Sequence, residues 1–389
     1  MKTAIIIAEY NPFHNGHAYQ IDVIRRLGFN RVVVVMSGNF VQRGSPAITD
    51  KAFRARAALA CGADLVVELP LPYAMATAER FAFGGISLAN AFEDADATLF
   101  FGSESNKMAD LKRIVSLICS DAVDMEIKQL VISGKSYAHA RQLAVFHAGG
   151  NAELLCNPND ILAVEYLKHI HLTGNLIAAS ALPRVEVNHD AISPGSGFAS
   201  ASYLRARCAE KGLPALKTYV PDAAFNIYRE ACEQNEFPCS EKKLETAILA
   251  RLRSMSAEDF AVLPDMSEGL PNRLYNTARS ALSLDEFIAS ATTKRYPSAR
   301  IRRAAMSAFL GVPSVLCRKA PPYMRVLGMT TNGEQLVRIA SRNIPVIASL
   351  LSADEEYAAV EAHSTDLFEL CKPQPNVCGE EYRRRVIKI

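Results

Sequence analysis

The 389-residue sequence has no apolar stretch long enough to cross a bilayer, no C-x-x-C pair, no internal repeat and no low-complexity tract, and its formal net charge is only +2. A spanning helix needs about 20 consecutive apolar residues, so no membrane segment is expected. The chain runs from Met1 straight into an apolar strand pattern rather than a secretory leader. Its nine cysteines are odd in number and scattered through apolar segments, the closest pairs being Cys232 with Cys239 and Cys371 with Cys378. That usage excludes a disulfide framework and reads as buried free thiols of a cytosolic protein. The near-neutral charge says little about partners. What remains is ordinary globular composition, 49% hydrophobic and 22% charged, which excludes a largely disordered chain. The length suits two domains.

The most informative stretch is the first twenty residues. Ala4-Ile5-Ile6-Ile7-Ala8 is short, β-branched and free of charge, the pattern of a strand buried on both faces. Asn11-Pro12 stops it, and residues 18–27 carry apolar side chains at helical spacing before Gly28. Two histidines and a glycine, His14, Gly16 and His17, therefore sit on a tight strand-to-helix turn. Such a turn gathers free backbone N–H groups and the positive end of a helix at one spot, an anion site. Histidines there can donate to phosphate oxygens, and glycine lets the backbone come close. A zinc site is the competing reading, but His-x-x-His supplies two ligands and no nearby Cys or carboxylate completes it.

His14-Asn15-Gly16-His17 resembles the His-x-Gly-His signature of the nucleotidyltransferase superfamily. The longer string Glu9-Tyr10-Asn11-Pro12-Phe13-His14-Asn15-Gly16-His17 resembles one family within it, the bacterial tRNA(Met) cytidine acetate ligases. In that family ATP and acetate give acetyl-adenylate, and the acetyl group passes to N4 of the wobble cytidine, position 34, of elongator tRNA(Met). The resemblance implies ATP as substrate with Mg²⁺, acetate and tRNA(Met) as partners, and His14 and His17 as catalytic residues. It further implies an ATP site formed by Ile7, Ala8, Glu9, Tyr10, Asn11, Pro12, Phe13, His14, Asn15, Gly16, His17, Ala18, Tyr19 and Gln20, with Gly102, Asn159 and Arg184 from downstream blocks.

Strands and helices alternate through the first half. Strand patterns recur over residues 31–36, 64–69 and 97–101, with helices between them. This implies an α/β fold with a doubly wound parallel sheet, which by resemblance is a Rossmann-like nucleotidyltransferase domain. The turn at 14–17, the loop Ser37-Gly38-Asn39-Phe40-Val41-Gln42-Arg43-Gly44, Pro70 and Gly102-Ser103-Glu104-Ser105 all follow strands, so all are expected on one sheet edge. Arg43 and Lys51 read equally as phosphate or tRNA ligands and as solvated charge; Glu68 reads as a loop-orienting side chain outside the site. Asn157-Pro158-Asn159-Asp160 starts a helix, and residues 181–190 read as a further strand.

Ser193-Pro194-Gly195-Ser196-Gly197-Phe198-Ala199-Ser200-Ala201-Ser202-Tyr203-Leu204-Arg205 resembles the superfamily's second signature, Ile-Ser-Ser-Thr-x-Ile-Arg, with Ala199 and Ala201 departing from it. By that resemblance Ser200, Ser202 and Arg205 hold the β and γ phosphates. The domain boundary is expected near Gly212-Leu213-Pro214, giving residues 1–213 as the ATP-binding domain. Residues 214–389 are then a mainly helical α+β domain with a small mixed tail that binds tRNA. Lys294, Arg295, Arg300, Arg302 and Arg303 surround Tyr296, and Arg383-Arg384-Arg385 come near the end. A basic run beside an aromatic suits RNA, and a solvated face is the alternative. An adenylyltransferase for a small phosphorylated substrate and a nucleotide sensor are the other functional readings; neither needs both the histidines and the basic helical half.

Overall fold

The computed structural model describes residues 1–183, 197–267 and 269–389. Its main sheet contains β1 (Thr3–Ala8), β2 (Arg31–Ser37), β5 (Leu65–Leu69), β6 (Ala97–Ser103), β7 (Ala178–Pro183), β8 (Met324–Met329), β9 (Val346–Ile347) and β10 (Ile387–Lys388). The short ribbon β3 (Phe40–Val41) and β4 (Ser45–Pro46) stands apart. The order is β10-β8-β5-β2-β1-β6-β7, with β9 beside β8. β1, β2, β5 and β6 run parallel, as expected, and β7 joins them beside β6 as Ala178–Pro183; of the strand expected over 181–190, residues 184–190 lie outside the described residues. Of the cysteines expected to be buried, Cys156 and Cys378 are exposed, because they lie on the surface of the fold.

The apolar strands read as doubly buried because they are. Every residue of β2 is buried, and its valines alternate: Val33 and Val35 enter one core, Val32 and Val34 the other. Each fully buried valine contributes about 1.5–3 kcal/mol of apolar transfer free energy. Helices Ala78–Ala89 and Pro158–Leu172 cover the first face, and Asn15–Arg26, Lys51–Ala60, Ala201–Lys211 and Asp222–Glu233 the second. From β1 the chain winds to β2 and β5 on one side, then returns to β6 and β7 on the other. The winding therefore reverses between β1 and β6, the kind of switch point at which sheets of this class bind ligands beyond the carboxyl ends of their strands.

The tail differs from expectation. Residues 324–329 and 387–388 extend the main sheet instead of forming a separate mixed unit, and β8 pairs antiparallel with β5 across a bulge at Val66/Val67. A parallel sheet leaves a β5 edge with unpaired backbone groups, and the distant β8 satisfies them. The expected boundary falls between Ala201–Lys211 and the one-turn 3₁₀ helix Leu213–Leu216. Helix Asp222–Glu233, just beyond it, packs beneath the sheet, whereas Glu245–Ser254, Leu270–Ser280, Leu284–Ala291 and Ser298–Leu310 form the helical half.

Candidate active site

The chain leaves β1 through Glu9, turns at Tyr10 in the left-handed region (φ +48°), and enters helix Asn15–Arg26 with His14 as its N-cap. Two histidines do here what serine and glutamate do in an ordinary capping box. His14 Nδ1 accepts from the Gly16 N–H at 3.1 Å, and His17 Nδ1 accepts from the His14 N–H at 3.2 Å. The rings stack with centroids 3.7 Å apart and 20° between planes. An Nδ1 that accepts a backbone N–H carries no proton, which leaves Nε2 as the donor of each ring. Gly16 is required sterically, since a Cβ there would lie 2.9 Å from His14 Cε1.

Beneath the turn, the buried rings of Tyr10 and Phe13 meet edge-on at 4.8 Å, with His17 tilted over both. Phe13 N–H donates to the buried Tyr228 hydroxyl at 2.8 Å. Asn11 Oδ1 accepts from Ile48 N–H at 2.7 Å. Ile7 and Ala8 end β1 half-buried, Pro12 is buried, and Ala18, Tyr19 and Gln20 form the first turns of the helix, with Tyr19 exposed.

The second signature is tied directly to this turn. Asn15 Nδ2 donates to Gly197 O at 2.7 Å and Thr218 O at 3.1 Å, while Arg205 Nη1 donates to Asn11 O at 2.8 Å. Ser200 caps helix Ala201–Lys211 by accepting from Tyr203 N–H, and the Ser200 and Ser202 hydroxyls lie 3.2 Å apart. Two helix N-termini, two imidazoles and Arg205 thus converge at the end of β1. Burial lowers the Arg205 guanidinium from its ordinary value, and the nearby Glu9 carboxylate opposes that shift. Glu9 Oε1 also accepts from Gln42 N–H at 3.0 Å, joining the loop after β2 to the site.

On the β6 side of the switch point, Gly102 is paired with Leu182 of β7. Asn159, in the first turn of Pro158–Leu172, donates from its backbone and side chain to Glu104 Oε1, and Asp160 N–H donates to Glu104 Oε2 at 3.0 Å. The buried Asp160 accepts from Ser103, Ser105 and Asn157, which knits the β6 end to the helix start. Glu104 was not singled out from the sequence, although its place between Gly102 and a helix cap was the available signal. Arg184 lies outside the described residues.

The family model described as HIGH Nucleotidyl Transferase matches residues 1–383. The tRNA(Met) cytidine acetate ligase of Thermoanaerobacter sp. (strain X514) is 32% identical over 399 residues, covering 99% of both chains. That of Acetivibrio thermocellus is 31% identical over 414 residues, covering all of both. This chain belongs to the tRNA(Met) cytidine acetate ligase family. Thermotoga maritima TmcAL has the same fold over the full length of both chains. The TM-score is 0.90 at 28% identity to its crystal structure bound with alpha-thio ATP, and 0.92 at 29% to its apo form.

Several charges expected near the site have other employment. Lys51 is fully buried, ion-paired with Glu68 and, at 2.7 Å, with Glu381, so it is neither solvated nor open to phosphate. Arg325 completes this cluster by pairing with Glu68 at 3.1 Å and with Glu381. Glu361 lies alongside, where burial first and the Glu68 charge second push its carboxyl up to about 8. Arg384 turns inward onto Asp50, the cap of helix Lys51–Ala60, at 2.6 and 2.8 Å, so it is not an RNA-facing residue. Arg43 is exposed.

In the helical half, Lys294 and Arg295 are exposed, whereas the three arginines that follow are engaged. Arg300 and Arg303 pair with Asp265 at 3.4 and 3.2 Å, and Arg302 with Glu241 at 2.6 Å. Tyr296 is buried, with the Arg295 and Arg300 guanidiniums 5.8 and 5.5 Å from its ring centre, so this ring offers no open face to a base. The Arg302–Arg303 backbone packs on Gly44, placing this surface beside the loop that reaches Glu9. Among the described residues, the group with metal-ligand spacing is Glu79, Glu165 and His169, away from the turn. Its carboxylates are already neutralised by Lys168 and Arg141. No helix of the described residues is long and apolar enough to cross a membrane.

Proposed function

We propose that this chain is an ATP-dependent tRNA-modifying ligase that activates acetate as acetyl-adenylate and transfers the acetyl group to N4 of cytidine 34 of elongator tRNA(Met). The products are N4-acetylcytidine, AMP and pyrophosphate. The observation that carries this reading is the union of the two signatures, with Asn15 bound to Gly197 and Arg205 bound to Asn11, around two imidazoles that present Nε2 protons.

ATP, entering as its Mg²⁺ complex, lies across the ends of β1 and β6. Gly102 and Asn159 flank the adenosine, residues 7–20 cradle the phosphates, Ser200, Ser202 and Arg205 hold the β and γ phosphates, and Arg184 is a further ATP contact, to the triphosphate or to adenine. An acetate oxygen attacks the α-phosphorus, and the bond to the bridging oxygen of pyrophosphate breaks. Negative charge grows on the α-phosphate oxygens and the leaving group, where His14, His17 and the helix N-termini donate. The cytidine N4 amine then attacks the acetyl carbonyl, AMP departs with the bonding pair, and N4 gives up a proton. No covalent enzyme intermediate is required.

The anticodon arm approaches from the helical half in the cytoplasm. Lys294 and Arg295 meet its phosphates, and Arg300, Arg302 and Arg303 shape the surface that continues toward Arg43 and the turn. Incubation with ATP, labelled acetate and bulk bacterial tRNA tests the whole reading. Label in N4-acetylcytidine is the expected result, and label confined to a small-molecule adenylate would favour a plain adenylyltransferase.

A further inference from the structure

Arg54 heads the fully buried side chains by volume, yet it makes no ion pair among the described residues. All of its bonds go to backbone carbonyls around the site. Nε donates to Thr49 O at 3.1 Å, Nη1 to Glu9 O at 2.7 Å and Ser37 O at 3.1 Å, and Nη2 to Gly38 O. One planar guanidinium therefore joins the residue after β1, the last residue of β2 with its successor, and the approach to helix Lys51–Ala60.

Peptide planarity gives this clamp a direction. In a trans peptide the C=O and the following N–H point to opposite sides. With the carbonyls of Glu9, Ser37 and Gly38 turned onto the guanidinium, the N–H groups of Tyr10, Gly38 and Asn39 are turned away from it. Tyr10 adjoins the clamp and holds φ +48°, a conformation costly for a tyrosine that persists only where the surroundings impose it. Such a fork matches planar multidentate recognition, which a lysine ammonium on a flexible stem cannot reproduce.

We propose that Arg54 is a positioning residue for acetate adenylation: it fixes the backbone after β1 and β2 so that its N–H groups face the oxygens that gain charge in that step. The buried cation is also bound to the carbonyl of Glu9, the residue through which β1 leads into the turn. This inference rests on reading the turn as an acetate-activating ATP site.

The test is acetate-dependent ATP–pyrophosphate exchange by the full chain, comparing wild type with Arg54→Lys, Arg54→Gln and, as control, Arg56→Ala. Arg56 is a partly exposed residue paired with Glu230. The expected result is a fall in kcat of about 10²-fold per folded molecule in both Arg54 variants. KM for ATP should stay within about threefold, because ground-state binding is not what the clamp supplies. The control should match wild type. A purely structural role would instead lower the thermal midpoint and the folded fraction while leaving kcat per folded molecule unchanged, and that outcome overturns the proposal. So does failure of both Arg54 variants to fold, which would make the side chain a folding element. Absence of exchange in wild type would overturn the acetate-activation reading itself, and the positioning role with it.

Discussion

Alanine at position 16 places a methyl group 2.9 Å from His14 Cε1 and 3.1 Å from Nδ1, where ordinary contact begins at 3.4 Å. The imidazole must retreat by about 0.5 Å, the limit within which a reacting constellation still functions. Two geometric losses follow. The Gly16 N–H to His14 Nδ1 bond at 3.1 Å weakens, and the 3.7 Å stack on His17 opens. Losing an N-cap bond costs about 0.5–2 kcal/mol. Alanine recovers up to about 1 kcal/mol of helix propensity over glycine. Net stability therefore falls by no more than about 2 kcal/mol, a shift of a few degrees in thermal midpoint for a chain of this size. Catalysis has no such compensation: a misdirected oxyanion donor costs about 10²–10³-fold in kcat. Gly16→Ala should thus remain folded, bind ATP, and lose at least about 10²-fold in acetate-dependent pyrophosphate exchange. Wild-type kcat in a folded Gly16→Ala protein would refute the assignment of His14 to the α-phosphate.

Replacing His14 or His17 with alanine removes a donor outright and should lower exchange by about 10²–10³-fold each, with circular dichroism unchanged; normal exchange in both would contradict the mechanism. Glu361 offers a pH test. Its folded-state carboxyl is raised by burial and Glu68 from 4.5 to about 8, so the protonated form stabilises the fold. That contribution is complete below pH about 4.5 and is lost as pH rises to about 8. Glu361→Gln cannot lose a proton, so its urea midpoint should gain on wild type across that window, and parallel curves would count against the buried assignment. Reversing the exposed pair with Lys294→Glu and Arg295→Glu should raise KM for tRNA and flatten its salt dependence. Acetate-dependent exchange without tRNA should be untouched, and an unaltered tRNA KM would place the RNA elsewhere.

Local chemistry made much of the fold legible in advance. Residues 32–36 of β2 and 65–67 of β5 are continuous apolar runs because both faces are covered. Asp50 and Pro158 mark helix starts through capping and a preset φ, both properties of a few neighbouring residues. The turn itself was legible because its glycine and histidines fall within four successive positions. Helices Leu270–Ser280 and Thr331–Ala340 were not marked out beforehand, although both are amphipathic. The pairing of β8 with β5 was invisible, since no local pattern records a partner some 260 residues away in the chain.

Lys51 and Arg384 carry the sharpest lesson about charge. In sequence each is a cation in a polar or basic stretch, which most often means a wet surface. Burial is decided by what folds over a residue, and here Glu68, Glu381 and Asp50 arrive from three separate elements to neutralise them. Arg54 is the same case with carbonyls as partners. By itself, then, the sequence determined the strands, the helix caps and the histidine turn, because each follows from side chains within a few residues of one another. The tertiary structure alone decided which charges are buried, what closes the β5 edge, and how Asn15 and Arg205 join two signatures nearly 200 residues apart. Those outcomes depend on desolvation and hydrogen-bond pairing between groups that meet only when the chain is folded.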